Sequence, residues 1–248
     1  MFIYNEKNEV IDFLTTNDFN RAGWDIISLD YQLSEDFMRK YKNKLAWWIL
    51  CQDQQLSESF MREMHDCMEW DTISSYQVLS ENFIRDFKNK LSWTQINRYQ
   101  KLSNKFRKEF VKYLSMTKPL TNNWINNPVN NKLRYIKKNG IDKIYPLKHD
   151  QNGWYLTAYK SVRSDFCSVY NHRYVYHIGK TYISSCNCDL DSINSFGLAA
   201  WTKEEALNYH SKGKLLLVKI YLKDLGAIVH DKGKLRAFKL TVLEEVKI

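Results

Sequence analysis

Proline is scarce: three residues in 248, all between positions 119 and 146, where with Gly140 they punctuate one middle stretch. Long apolar runs are absent too, none approaching the ~18 residues a bilayer-spanning helix needs. The opening MFIYNEKNEV lacks the basic flank and greasy core of a secretory leader. Five cysteines, an odd number for a chain this size, argue against a disulfide framework and for a reducing compartment. No Walker-type loop, Gly-x-Gly-x-x-Gly fingerprint or His-Glu-x-x-His is present, which leaves the chain without the commonest signatures of phosphate, dinucleotide and zinc-hydrolase chemistry. What remains is ample material for buried cores, with 44% hydrophobic and 15% aromatic residues, and the expectation is a soluble cytoplasmic protein.

Charge is unevenly placed. Residues 1–115 carry 16 Lys+Arg against 17 Asp+Glu, whereas residues 116–248 carry 21 against 11. An anionic partner is therefore to be sought in the second half, although a chain rich in Lys, Asn, Ile and Tyr acquires such a balance from an AT-rich genome alone.

The first half repeats itself. Trp24, Trp47, Trp70 and Trp93 stand 23 residues apart, as do Leu33, Leu56, Leu79 and Leu102, each followed by Ser, and Phe37, Phe60, Phe83 and Phe106. A strict period of this length marks an array whose units bury their apolar faces against one another. Within a copy, Trp70, Ile73 and Gln77 are spaced as a helix, Leu79-Ser80-Glu81-Asn82 interrupts, and Phe83, Ile84, Phe87 and Leu91 resume helical spacing. Ser80 is placed to cap the second helix and Glu81 to meet its dipole. The tryptophans are expected in the core facing the next copy. Stretches such as Cys51 to Gln54 and Asn97 to Gln100 differ between copies and are expected to face solvent or a partner. Arg39, Arg62 and Arg85 recur four residues after Glu35, Glu58 and Glu81, a spacing that predicts ion pairs along one helix. Val10 to Leu14 echoes a second helix in weaker form and reads as a terminal cap.

The fold expected is α+β: an all-α solenoid of 23-residue helix pairs over 1–115, an Asn- and Lys-rich linker over 116–150 with one helix at Asn130 to Lys138, and a compact α+β domain over 151–248. In that last part, strands are expected at Tyr155 to Val162, Ser168 to Tyr170, Tyr174 to Ile178, Thr181 to Ser184, Leu215 to Leu222 and Leu235 to Val246. A helix capped by Thr202 runs to Tyr209, and Asp231 to Lys234 makes a tight turn.

Three constellations carry chemistry. Lys160, Arg163, Arg173 and Lys180 alternate with tyrosines and can bind a nucleotide or other anion by charge and stacking. The same tyrosines are equally good half-buried sheet formers. Cys167, His172, His177, Cys186 and Cys188 fall within 22 residues and are soft or borderline metal ligands, but their spacing matches no common zinc module. Cys167 and His172 can also be set as a thiol and its base.

Trp70 to Phe87, in the pattern Trp-x-x-Ile-Ser-x-x-Gln-x-Leu-Ser-Glu-x-Phe-Ile-Arg-x-Phe, resembles tandem repeats of proteins from giant DNA viruses of the mimivirus type. The resemblance implies a viral protein acting inside the host cell. Ala158-Tyr159-Lys160, Tyr176-x-x-Gly179-Lys180-x-Tyr182, Phe196-Gly197-Leu198, Glu205-Ala206 with Tyr209, and Lys234-x-Arg236 are similar to a C-terminal domain of unknown function in phage and giant-virus proteins. A more distant likeness is to ADP-ribosyltransferases, which implies NAD as cofactor and Arg163, Tyr182 and Glu244 as catalytic residues. Adjacent Glu244 and Glu245 and the lack of a Ser-Thr-Ser triplet depart from that family's pattern.

Two functions stand side by side. One is an interaction protein without cofactor, its helical repeats a scaffold for a host or viral protein and its basic α+β domain docking a partner or anionic ligand, with nucleic acid a weaker option and no membrane. The other is an NAD-using enzyme in the second domain.

Overall fold

The computed structural model describes residues 2–7, 9–13, 19–117, 128–171, 174–189, 192, 195–229 and 233–247. They divide into two compact units, Met1–Ser92 and Trp93–Ile248, so that the fourth sequence copy groups with the second unit. The architecture is α+β.

In the first unit a hairpin of β1 (Phe2–Tyr4) and β2 (Val10–Phe13) precedes three helix pairs: α1 (Arg21–Asp30) with α2 (Glu35–Lys40), α3 (Trp47–Asp53) with α4 (Glu58–Glu63), and α5 (Trp70–Tyr76) with α6 (Glu81–Asp86). Helices this short are marginal alone, so packing must hold them. Phe37, Phe60 and Phe83 are fully buried, and each lies under its own copy's tryptophan at 6.5, 6.2 and 6.4 Å. Trp24 is buried, while Trp47 and Trp70 are half-buried. Ser34, Ser57 and Ser80 each accept the phenylalanine N–H at 3.1 Å, the cap that the spacing predicts.

Neighbouring copies are joined by a ladder of side chain to backbone bonds. Gln54 Nε2 donates to Tyr31 O at 2.7 Å while its Oε1 accepts Leu33 N–H at 3.2 Å. One copy later, Gln77 donates to Cys51 O and Gln54 O, both at 2.8 Å, and accepts Leu56 N–H at 3.1 Å. These glutamines satisfy the backbone groups stranded where one helix ends and the next begins. Gln54, Gln77 and Gln100 are therefore buried, at 2%, 5% and 3% exposure, and Cys51 and Asn97 are buried as well, which corrects the expectation that Cys51, Gln54, Asn97 and Gln100 face solvent or a partner. Glu35 and Glu58 likewise accept the N–H of Ser57 and Ser80 in the following copy, at 2.9 and 2.5 Å. The Gln77→Ala variant should lose about 2–4 kcal/mol, because three buried backbone groups are left unpaired. Ser80→Ala should lose about 1 kcal/mol, and urea unfolding of the full chain distinguishes the two.

The first copy has no predecessor, and the hairpin takes that place. Val10 N–H donates to Gln32 O at 2.6 Å and Val10 O accepts Ser34 N–H at 3.0 Å, the bond a glutamate makes in later copies. The cap is thus a strand over Val10–Phe13, where a helical echo was expected; Leu14 lies outside the described residues.

The second unit begins with α7 (Trp93–Tyr99), α8 (Asn104–Glu109) and α9 (Val111–Ser115), followed by α10 (Val129–Lys138). Ile136 is fully buried in the core of an eight-stranded antiparallel sheet, so α10 is part of the domain and not a solvated tether. Most of the Asn-rich stretch, 118–127, lies outside the described residues. The strands are β3 (Leu147–Asp150), β4 (Gly153–Val162), β5 (Thr181–Ile183), β6 (Leu198–Trp201), β7 (Lys214–Tyr221), β8 (Leu225–Val229), β9 (Lys234–Ala237) and β10 (Lys239–Val246). Helix α11 (Lys203–Tyr209) follows β6, with Thr202 Oγ1 accepting Glu205 N–H at 3.2 Å.

Sheet order is β5-β10-β7-β4-β6-β9-β8, with β3 also on β4. Only Phe238 separates β9 from β10, yet the two stand four places apart in that order. Four strand spacings amount to about 19 Å in a flat sheet, more than one residue can span. The sheet therefore curls until its two parts meet at Phe238, and the single strand expected over Leu235 to Val246 is broken there. The expected strands at Ser168 to Tyr170 and Tyr174 to Ile178 reduce to isolated bridges, Val162 with Ser168 and Cys167 with Val175. Part of the expected turn at Asp231 lies outside the described residues.

Candidate functional site

On the first unit most of the charge repeated at the 23-residue step is already engaged. Arg39 meets Glu63 of the next copy at 2.9 Å and Asp36 at 2.6 Å, with Glu35 at 3.8 Å, and Arg62 meets Asp86 of the next copy at 2.7 Å. Each guanidinium also lies 5.0 Å from the following phenylalanine ring. A shallow cleft of about 410 Å³ lined by Arg62, His65, Asp86 and Lys90 is crossed by that second ion pair. Large apolar side chains also stand exposed: Ile26, Leu29, Trp48 and Val78 at 53%, 48%, 60% and 50%. At the positions of Leu29, Trp48 and Val78 the other copies carry different residues, for example Trp48 against Asp25, Asp71 and Thr94, whereas Ile26 falls on Ile49.

In the second unit, strand register separates Arg163, Tyr182 and Glu244. Tyr182 pairs with Leu240, next to Thr241, which pairs with Lys219; Ile220 beside it pairs with Leu156 on β4. Arg163 is seven residues further along that strand direction, roughly 24 Å at the usual rise. Glu244 pairs with Leu217 between the two, past an irregularity that follows Val242, and is exposed. Tyr182 OH accepts His177 N–H at 2.6 Å and its ring packs on Tyr176 at 4.8 Å, while Arg163 pairs with Asp165 at 3.4 Å.

Nor do the four cations gather. Arg173 lies outside the described residues, Lys180 is exposed, and Lys160 is buried at 5% exposure. Lys160 Nζ donates to Ala199 O at 3.0 Å and sits 4.7 Å from the Tyr176 ring and 5.6 Å from Trp201. Lys234 Nζ also lies 5.6 Å from the Trp201 ring. Burial, and secondarily the charge of Lys234, push Lys160 down to about 7. An amine so placed is partly unprotonated near neutrality and is the chemically most perturbed lysine of the sheet. Other cations are spent in pairs, Lys214 with Glu245 and Lys219 with Asp150, both at 3.2 Å. Tyr174, Tyr176 and Tyr182 pack on one another, as half-buried sheet-side rings do.

The five soft ligands are also dispersed. His172 lies outside the described residues, His177 is exposed, and Cys167 is half-buried in a bridge with Val175. Among the described residues no three His, Cys, Asp or Glu side chains are placed to hold a metal ion. Cys186 and Cys188, however, are fully buried and brought together in a core cluster with Phe238. Around them stand Arg236, fully buried, with Nη2 donating to Asp189 O, and Lys132, 2% exposed, with Nζ donating to Leu225 O at 2.7 Å. Asp224 holds Lys101 at 2.8 Å nearby. Burial pushes Lys132 down to about 8 and raises the Cys186 thiol, against the pull of Arg236 and Lys132.

The chain matches no family model, no curated protein and no solved structure. No described helix is long and apolar enough to cross a membrane.

Of this cluster, the cysteine spacing is visible in sequence, whereas Lys132 falls in a stretch that reads as a linker and Arg236 in one that reads as a strand. One signal for Arg236 existed: it is the charge flanked by apolar residues in Leu235 to Phe238. A charge in such a run needs an internal partner.

Proposed function

We propose that the chain is a protein-binding scaffold, with its helix pairs stacked as a solenoid that offers a host or viral protein a surface varying from copy to copy. The observation that carries this reading is a division of labour along the repeat. Residues that recur every 23 positions, glutamine, serine, glutamate and arginine, bridge one copy to the next, whereas the exposed apolar residues Leu29, Trp48 and Val78 sit where the sequence does not repeat. They are dispensable for stacking, and exposed large side chains of this kind are the usual anchors of protein interfaces. The nucleotide-enzyme reading has less support, since Arg163, Tyr182 and Glu244 occupy three different register positions.

The test is affinity capture from host-cell lysate by the full chain, compared with the Trp48→Glu and Leu29→Glu variants. Both should lose the same captured protein while their melting temperatures stay within a degree or two of the parent, because the sites are exposed. An unchanged captured set with both variants would overturn the proposal.

A further inference from the structure

The buried cysteine pair belongs to the second unit, and four observations converge on it. Cys186 and Cys188 are both fully buried, one residue apart in sequence. Two glycines make room for them: a Cβ on Gly226 would stand 2.4 Å from Cys186 Sγ and 3.3 Å from Cys188 Sγ, and one on Gly197 would stand 3.0 Å from Cys186 Sγ. Both sulfurs therefore lie within 3.3 Å of a single point, which brings them within reach of one ion. Arg236, fully buried on β9, faces them, and its Nε and Nη1 have no hydrogen-bond partner. A guanidinium enclosed with two unpaired N–H groups calls for an anion beside it. Asp189 accepts from Nη2 through its backbone carbonyl and adds its charge without a side-chain hydrogen bond to Nε or Nη1, and Asp224 is held by Lys101.

We propose that Cys186 and Cys188 form a two-thiolate site for a soft monovalent d10 cation, Cu(I), with Arg236 as the counter-charge. Binding replaces two S–H protons by two S–Cu bonds, releasing both protons and leaving the metal oxidation state unchanged. The bis-thiolate complex carries one negative charge, which the guanidinium neutralises. Thiolates select soft ions, Cu(I) and Zn among them. Zinc requires four ligands in a closed site, and among the described residues no third His, Cys, Asp or Glu is placed to join the pair. Linear two-coordination by Cu(I) needs none. Lys132, Lys101 and Asp224 complete the charged surroundings, with Lys101 and Asp224 cancelling each other.

The experiment is anaerobic titration of the reduced full chain with Cu(I) against a competing chromophoric chelator. The ultraviolet thiolate-to-copper band and proton release are read together. One ion per chain and two protons per ion are expected, with Cys186→Ser and Cys188→Ser each abolishing tight binding. The triple variant Cys51→Ser, Cys67→Ser, Cys167→Ser should keep it. Arg236→Lys should bind about 10- to 100-fold more weakly, as loss of an outer-shell partner does. Near-ultraviolet circular dichroism of each variant separates loss of the site from loss of the fold; should either serine variant unfold, Gly226→Ala, which sets a methyl group 2.4 Å from Cys186 Sγ and 3.3 Å from Cys188 Sγ, takes its place. Binding that survives in a folded Cys186→Ser, Cys188→Ser or Gly226→Ala chain, Zn(II) binding as tight as Cu(I), or a purified pair already joined as a disulfide would each overturn the proposal.

Discussion

Replacing Phe83 by alanine should destabilise the first unit by about 3–5 kcal/mol, a loss to be read as a shift of the urea midpoint followed by tryptophan fluorescence. Phe83 has no exposed surface, lies 6.4 Å from Trp70 and 4.7 Å from Phe87, and carries Arg62 above it at 5.0 Å. The helix it belongs to has six residues and cannot stand alone, so no intrinsic helix propensity compensates the lost packing. The cavity cannot collapse easily either, because Gln77 ties the start of this copy to the backbone of the preceding one. Phe83→Leu should recover most of the loss, and Val78→Ala, at a half-exposed position one residue before Leu79, should stay within about 0.5 kcal/mol. If Phe83→Ala costs no more than Val78→Ala, the aromatic layer is not what holds the copies together.

Periodicity made the helix pairs legible, because Trp, Leu-Ser and Phe recur without a gap and each serine cap has one physical use. The same procedure misread Gln54: its neighbours Cys51 to Asp53 vary between copies, and variation was taken as exposure although Gln54, Gln77 and Gln100 share one offset. Val10 to Phe13 holds apolar residues that fit a helix or a strand over so short a run, and only the missing preceding copy decides for the strand. In the sheet, β4 and β7 were readable, while β6 and β8 were not, since LAAW and LGAIV are short, apolar and without alternation. The bend at Phe238 is a property of sheet closure and has no local signal. The cysteine pair shows the same limit: spacing suggested a ligand set, but the guanidinium beside it arrives from a strand 48 residues after Cys188.

Lys160→Met should stabilise the second unit, most strongly in acid. An ordinary lysine loses its proton near 10.5, whereas burial brings Lys160 down to about 7 in the folded chain. Between those values the unfolded chain binds the extra proton, so the parent gains stability as pH rises from about 7 to 10.5 and loses it as pH falls through that window. Below about 7 the ammonium is charged in both states and its desolvation penalty is fully present, on the order of 4–5 kcal/mol from the size of the shift. Methionine escapes that penalty and fills similar space, but leaves Ala199 O without its donor, a loss of about 1–3 kcal/mol. The net expectation is a gain of about 2–3 kcal/mol at pH 6 that shrinks as pH rises and vanishes or changes sign by about pH 10. Lys234→Met, which removes the second amine near Trp201, should give a smaller gain with the Lys160 window moved upward, because the charge of Lys234 is the lesser cause of the shift. Melting curves of the three chains from pH 6 to pH 10 decide it. A stability difference between parent and Lys160→Met that does not change with pH would mean that Lys160 keeps its proton throughout, held by the faces of Tyr176 and Trp201 more strongly than burial opposes it.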